Sequence, residues 1–386
     1  MRPAPPAKVL TGVLVALVCL PQLAVGLYVP ALPRMAHDLG SGEAAVQQTM
    51  VAYMAGYALS MLLAGLLADR FGRRPVLLAG LALYAVVTAG SIVAGSVWQL
   101  DVLRFFQAFG GCAGTVVARL IVKDVLAPER RVAALTYLST GLAVTPAVAP
   151  VIGGLLVSHG SWRAAFAVML VSGLAVLAAV ARAVPETLAP GAAVRLSAAQ
   201  VRRGYADALR NPGFRSAAIA ISLAWCGYSV FTMLSSLLLQ GRLGMSPVGF
   251  AAAYGCVVLG YVAGSTAARR LAGRRSAQAM TRGAGLCAGA AATVLVVLAL
   301  CLPMSPAAFT AGMALVMLGV GAVFPTAQAG SLEAVNANAG LASGLFFATQ
   351  MAAGAVYGQL ASLVDVRTLA MLDLEPAEVL TELDQI

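Results

Sequence analysis

The chain has 386 residues, of which 60% are hydrophobic and only 10% charged, where a soluble domain carries about 25% charged residues. No water-soluble core hides that much apolar surface, and the apolar runs are continuous rather than alternating, which excludes a transmembrane β-barrel. The formal charge of +10 would suit a nucleic-acid binder in a soluble protein, but these charges lie between the apolar runs, so the implied partner is a lipid bilayer and not nucleic acid.

Crossing the hydrocarbon takes about 20 mostly apolar residues as a helix. Cutting the sequence at charges, prolines and turn residues predicts spans near residues 9–33, 44–68, 76–96, 98–122, 132–157, 163–184, 214–239, 248–268, 281–302, 305–328 and 339–363. The expected fold is therefore an all-α membrane protein with eleven clear transmembrane helices. Met1–Lys8 followed by an apolar run imitates a secretory signal, but no cleavage site follows and the segment reads as an uncleaved first span. Residues 1–184 are expected to form an N-terminal six-helix bundle, 185–213 a linker, 214–364 a C-terminal bundle of five spans and 365–386 an acidic tail. The tail is too acidic to be a twelfth span.

Orientation follows from the 25 Lys and Arg residues, because basic loops stay in the cytoplasm. They gather at Arg70, Arg73 and Arg74, at Lys123, Arg130 and Arg131, in the linker at Arg195, Arg202, Arg203 and Arg210, and at Arg269, Arg270, Arg274 and Arg275. A cytoplasmic N-terminus puts all of these on the inner side. Gly72-Arg73-Arg74 after the second span returns as Gly273-Arg274-Arg275 after the eighth, about half a chain later, which points to an internal repeat of two halves.

The second and third spans are joined by Gly65-Leu66-Leu67-Ala68-Asp69-Arg70-Phe71-Gly72-Arg73-Arg74-Pro75. Gly65 suits a close helix approach and Gly72 a tight turn, while Asp69 can pair with an arginine or a helix N-terminus. The fourth span opens Asp101-Val102-Leu103-Arg104-Phe105-Phe106-Gln107 and ends Ala118-Arg119-Leu120-Ile121-Val122-Lys123-Asp124. An arginine at membrane depth is costly and faces the bundle interior with a partner; Asp101, three residues before Arg104, is the nearest acid. The fifth span carries Thr145-Pro146-Ala147-Val148-Ala149-Pro150-Val151-Ile152-Gly153-Gly154, whose prolines bend a helix and whose glycines admit a close neighbour.

These segments resemble the G-x-L-A-D-R-x-G-R-R signature, the R-x-x-Q helix and the P-x-x-A-P-x-x-G-G antiporter motif of the major facilitator superfamily. They are most similar to its drug:proton antiporter branch, the Bcr/CflA family of bicyclomycin and chloramphenicol resistance. The resemblance implies two pseudo-symmetric helical bundles, with the twelfth helix missing or atypical here. It further implies multidrug efflux by alternating access, antiport against protons and residence in a bacterial inner membrane. Gly65, Asp69, Arg70, Gly72, Arg73, Arg74, Pro146, Pro150, Gly153 and Gly154 would then govern conformational change. Family members commonly hold a titratable acid late in the first span; Gly26 stands there instead, and elimination leaves Asp101, with Arg104, for proton coupling.

Polar and aromatic residues on the inward faces are the candidates for substrate: Gln22, Tyr28, Tyr53, Gln107, Trp225, Tyr228, Phe231, Tyr254, Gln350 and Tyr357. With so little charge in the spans, the substrate is expected to be a neutral, amphipathic or weakly charged small molecule. An exporter of a biosynthetic product such as a siderophore, or a non-transporting membrane sensor, would share the same features. No cofactor or metal is expected: the six cysteines lack metal spacing, His37 and His159 join no catalytic constellation, and no Walker sequence appears, so neither an enzyme nor direct ATP use is indicated. A monomer is expected.

Overall fold

A computed structural model describes residues 6–188, 198–271, 276–301, 305–334 and 339–372, and no strand occurs among them. Arg195, Gly273-Arg274-Arg275 and the tail beyond residue 372 lie outside the described residues. The helices are α1 (Ala7–Gly26), α2 (Leu32–Asp38), α3 (Glu43–Phe71), α4 (Arg73–Ile92), α5 (Val97–Val125), α6 (Pro128–His159), α7 (Arg163–Ala183), α8 (Ala198–Arg210), α9 (Pro212–Ser236), α10 (Pro247–Leu271), α11 (Ala277–Cys301), α12 (Pro306–Ala334) and α13 (Ala339–Leu372). Their ends follow local chemistry. Ser96 caps α5 by accepting from the Gln99 N–H, and Asn211 caps α9 by accepting from the N–H groups of Gly213 and Phe214, just ahead of Pro212 at the first turn. Gly72, at φ +99°, separates α3 from α4 in a conformation that side chains with a Cβ avoid.

Ten stretches among the described residues are long and apolar enough to cross a membrane, the first running from Ala7 through Asp38. The expected eleventh span falls within α13, which is helical but not among the ten. Gln350, Gln359 and a run of Ala and Gly dilute its hydropathy. The helix also continues to Leu372, past Val364, where a break was expected. The linker expected over 185–213 contains α8, whose Tyr205 hydroxyl donates to the Leu62 carbonyl of α3 at 3.2 Å.

Helix contacts repeat between the two ends of the chain. In the first set, α3 packs on α5, α4 on α5, and α1 on α5 and α6; in the second, α10 packs on α12, α11 on α12, and α9 on α12 and α13. The glycines that permit this recur as well: a Cβ on Gly56 would fall on the Phe105 carbonyl across α3 and α5, and one on Gly260 would fall on the Ala314 carbonyl across α10 and α12. In a bilayer, where apolar burial does not drive helix association, such close backbone approach supplies the packing energy. The two sets meet where α3 packs on α13 and α6 on α10. A single departure from the repeat stands out: α7 packs across α1 and α4, and no described helix packs in the same way across α9 and α11.

Candidate functional site

Arg104 sits two turns into α5 and is completely buried. Its guanidinium carbon lies 4.2 Å from the ring centroids of both Tyr28 and Tyr53. One terminal nitrogen donates to Gln107 Oε1 at 2.6 Å and to the Ala24 carbonyl at 3.4 Å; the other reaches the Met50 sulfur at 3.5 Å. The amide of Gln107 donates in turn to Thr88 Oγ1 at 2.8 Å, and Thr88 donates to the Tyr84 carbonyl at 2.5 Å. Tyr28 bonds Thr49, which itself donates to the Val46 carbonyl at 2.6 Å, so the Tyr28 hydroxyl is the donor in that pair. Tyr53 donates to the Pro21 carbonyl at 3.0 Å. Inserting an arginine at membrane depth costs about 2.5–3.5 kcal/mol. Two desolvated cation–π contacts at about 0.5–2 kcal/mol each, plus charge-assisted hydrogen bonds, are of the size needed to offset it.

The expected Asp101–Arg104 pair does not form. Arg104 turns inward to the tyrosines, while Asp101 is half-buried with its Oδ1 enclosed and without a hydrogen-bond partner. The two residues share a helix face but not a partner.

The remaining substrate candidates divide. Tyr28, Tyr53 and Gln107 belong to the Arg104 centre, inside α1–α7. Trp225, Tyr228, Phe231 and Tyr254 form a second aromatic centre on α9 and α10: the Trp225 and Tyr228 rings are 5.0 Å apart, Phe231 and Tyr254 are 5.1 Å apart, and the Tyr228 and Tyr254 hydroxyls are 3.3 Å apart. Phe324 of α12 joins at 5.8 Å from Trp225. Against this centre stands α13, whose Gly354 is so close that a Cβ would come within 2.6 Å of Trp225. One turn earlier, Gln350 is 2% exposed, and both its Oε1 and the Trp225 Nε1 are buried without partners. Gln22 is half-buried on α1. Tyr357 is 47% exposed and takes no part in the aromatic centre, because the exposed face of α13 carries it away.

The loop signature folds into an ion-pair cluster. Arg73 bonds Asp69 at 2.9 Å, Asp124 at 3.0 Å and the Ala68 carbonyl at 2.9 Å. Arg74 reaches the Ala181 carbonyl of α7 at 2.9 Å, and Glu186 accepts from the backbone N–H groups of Arg73 and Arg74, the first two residues of α4. Every one of these partners lies in residues 68–186, so the cluster ties α3, α4, α5 and α7 together. Arg70 lies outside it, over the ring of Phe71. Gly65 is not a close contact: a Cβ there would meet only Val116, at 3.8 Å.

Pro146 and Pro150 lie inside one continuous helix, α6. Its two glycines face different neighbours, Gly153 the Leu27 carbonyl and Gly154 the Pro247 carbonyl of α10, each 2.6 Å from where a Cβ would stand. Gly26 is part of the same contact: its Cβ would fall 2.5 Å from that of Ala149 and 3.1 Å from Pro150. An acidic side chain at position 26 would force α1 and α6 apart.

Sequence reasoning missed Tyr84, Thr88, Asp124 and Glu186. Thr88, a polar residue within an apolar span, was a detectable complement to Gln107. Glu186 carried no signal, since its partners on α4 lie more than a hundred residues earlier.

Fold and motif geometry define a polytopic helical membrane protein built from two pseudo-symmetric bundles. The sequence pattern of the Major Facilitator Superfamily matches residues 14–358, and the chain belongs to that family. It is 34% identical to the multidrug resistance protein D of Escherichia coli (strain K12) over 60% of this chain and 58% of that protein. It is 29% identical to a chloramphenicol resistance protein of Pseudomonas aeruginosa over 89% of this chain and 81% of that protein. The chain thus spans less than two thirds of the length of the first of these relatives. Solved structures share the fold: a D-xylose–proton symporter superposes with a TM-score of 0.73 at 14% identity, covering 92% of this chain and 90% of that one. A POT family transporter in complex with a thioalcohol-conjugated peptide does so at 0.76 and 15% identity, covering 92% and 90%.

Proposed function

We propose that the chain exports neutral or weakly charged amphipathic molecules from a bacterium by alternating access, exchanging them for protons across the inner membrane, with its N-terminus in the cytoplasm. The observation that carries the reading is the unpartnered donor of Trp225 and the unpartnered acceptor of Gln350, both buried, on neighbouring helices of which α13 also packs on the first bundle. A buried polar atom left unpaired costs about 1–3 kcal/mol, and a ligand bearing one acceptor and one donor removes that cost while its apolar body meets Tyr228, Phe231 and Phe324. The names of the relatives, multidrug resistance and chloramphenicol resistance, agree with such a ligand. Asp101 supports proton coupling, because its enclosed Oδ1 has no protein donor.

The test is counterflow and substrate-induced proton movement in proteoliposomes, screening chloramphenicol-like, cationic and siderophore-like compounds. Asp101→Asn is expected to bind substrate yet lose exchange driven by a pH gradient; undiminished proton exchange in that variant would refute the role of Asp101. Gln350→Leu and Trp225→Phe are expected to raise the substrate KM about tenfold, with the folded yield unchanged. A KM equal to that of the wild type in both would sink the proposed binding site.

A further inference from the structure

The arginines drawn into the first bundle mostly spend their N–H groups on oxygens, as Arg73, Arg74, Arg104 and Arg163 do. Arg119, in the last two turns of α5, does not. It is half-buried, forms no hydrogen bond or ion pair among the described residues, and has its guanidinium carbon 5.3 Å from the Phe347 ring of α13. A ring covers the face of a guanidinium and leaves the N–H groups along its edge free. The next acids along α3 and α5, Asp69 and Asp124, are both held by Arg73.

Helix packing fixes what surrounds Arg119. A Cβ on Gly344 of α13 would come within 3.0 Å of the Met61 carbonyl of α3, so these helices are pressed together at this level. Tyr57 stands one turn from Met61 on α3, and Phe347 one turn from Gly344 on α13, which brings both to the same junction. Thr115, one turn before Arg119 on α5, is 5% exposed, and its Oγ1 is enclosed without a partner. Tyr57 adjoins both Thr115 and Arg119. Gln350, with its own unpaired acceptor, follows Phe347 by one turn and leads to Trp225. The junction is made by α3, α5 and α13 themselves, and α13 runs about 38 Å beyond Phe347 before it ends.

We propose that Arg119, with Thr115 and Tyr57, forms an anion subsite that takes the carboxylate of an amphipathic organic acid, whose apolar body extends along α13 toward Gln350 and Trp225. This deepens the export reading and rests on it for the far end of the ligand. A guanidinium withdrawn from water without a counter-charge is costly, and a carboxylate accepts two parallel N–H bonds from it. The Thr115 hydroxyl adds a donor and loses the cost of standing unpaired. A cation is repelled from this end, and a neutral ligand leaves the guanidinium without a counter-charge.

The experiment compares 1-naphthaleneacetate with its uncharged amide, each titrated calorimetrically into the full-length protein in detergent at constant ionic strength. Wild type is expected to bind the acid about tenfold more tightly than the amide. Arg119→Gln should bind both with the affinity of the amide, and Arg119→Lys, which keeps the charge but loses the fork, should keep about a threefold preference. Arg242→Gln, an exposed arginine elsewhere, should behave as wild type. Glu333→Gln, in the last turn of α12, should leave the preference unchanged; a preference that rises in it would give Arg119 an acid of the chain for a partner and overturn the proposal. Equal affinities in the wild type, or an intact preference in Arg119→Gln, would overturn it as well. Should Arg119→Gln fail to fold, Arg119→Lys decides, and an undiminished preference there counts against the subsite. Trp225→Phe should weaken both ligands alike and leave their ratio intact. The ratio can therefore fail while the site of the export reading stands, and counterflow can fail while the ratio stands.

Discussion

Arg104 is a buried cation whose partners are rings and neutral oxygens rather than a carboxylate. Removing it opens a cavity between Tyr28 and Tyr53 and strands Gln107 Oε1, so Arg104→Ala is expected to cost on the order of 3 kcal/mol. Arg104→Lys keeps the charge but loses the planar stacking and should fall between the two. Thermal unfolding in detergent, with all three proteins side by side, checks the order. Glycines give a second contrast at this scale. Gly56→Ala places a methyl on the Phe105 carbonyl and is expected to cost about 1–3 kcal/mol by overpacking. Gly65→Ala meets only ordinary contact and should stay within about 0.5 kcal/mol of wild type. Equal losses in the two would show that the signature glycine is as close a contact as Gly56.

Between elements, the ion-pair cluster at the base of the first bundle joins four helices through Arg73, Arg74, Asp124 and Glu186. The Arg73 side chain is only 9% exposed. Asp124→Asn removes a charge from its partner, and charge-assisted hydrogen bonds contribute about 1.5–3 kcal/mol. A lower unfolding temperature is expected, with a smaller further loss on adding salt than the wild type shows. At the contact of α1 with α6, Gly26→Asp is expected to reduce the yield of folded protein without adding a proton site. An aspartate there that folded normally and enhanced pH-driven exchange would show that α1 and α6 can separate.

The whole molecule moves, on the proposed mechanism, by exchanging contacts between its bundles. In this structure they meet through α3 with α13, through α6 with α10, and through Arg119 over the Phe347 ring at 5.3 Å. On the α6–α10 side Gln240 also donates to the Pro30 carbonyl at 3.3 Å. Gly154→Leu would wedge α6 from the Pro247 carbonyl of α10. Each bundle keeps its own packing, so unfolding should change little while counterflow falls by an order of magnitude or more.

By itself the sequence determined the membrane class, the positions of most spans and the family, because each rests on local chemistry: continuous apolar runs, prolines, and signature residues adjacent in the chain. The ion-pair cluster was half legible, with Asp69 and Arg73 visible inside one motif and Glu186 invisible because its partners are distant. Only the tertiary structure decided that Arg104 turns to tyrosines instead of Asp101, that Tyr357 faces outward, and that position 26 has room for a glycine alone. It also brought Trp225 and Gln350 onto neighbouring helices. These outcomes depend on the rotation and approach of one helix against another, which backbone contacts at glycines set at sub-ångström tolerance and which no periodicity within a single helix encodes.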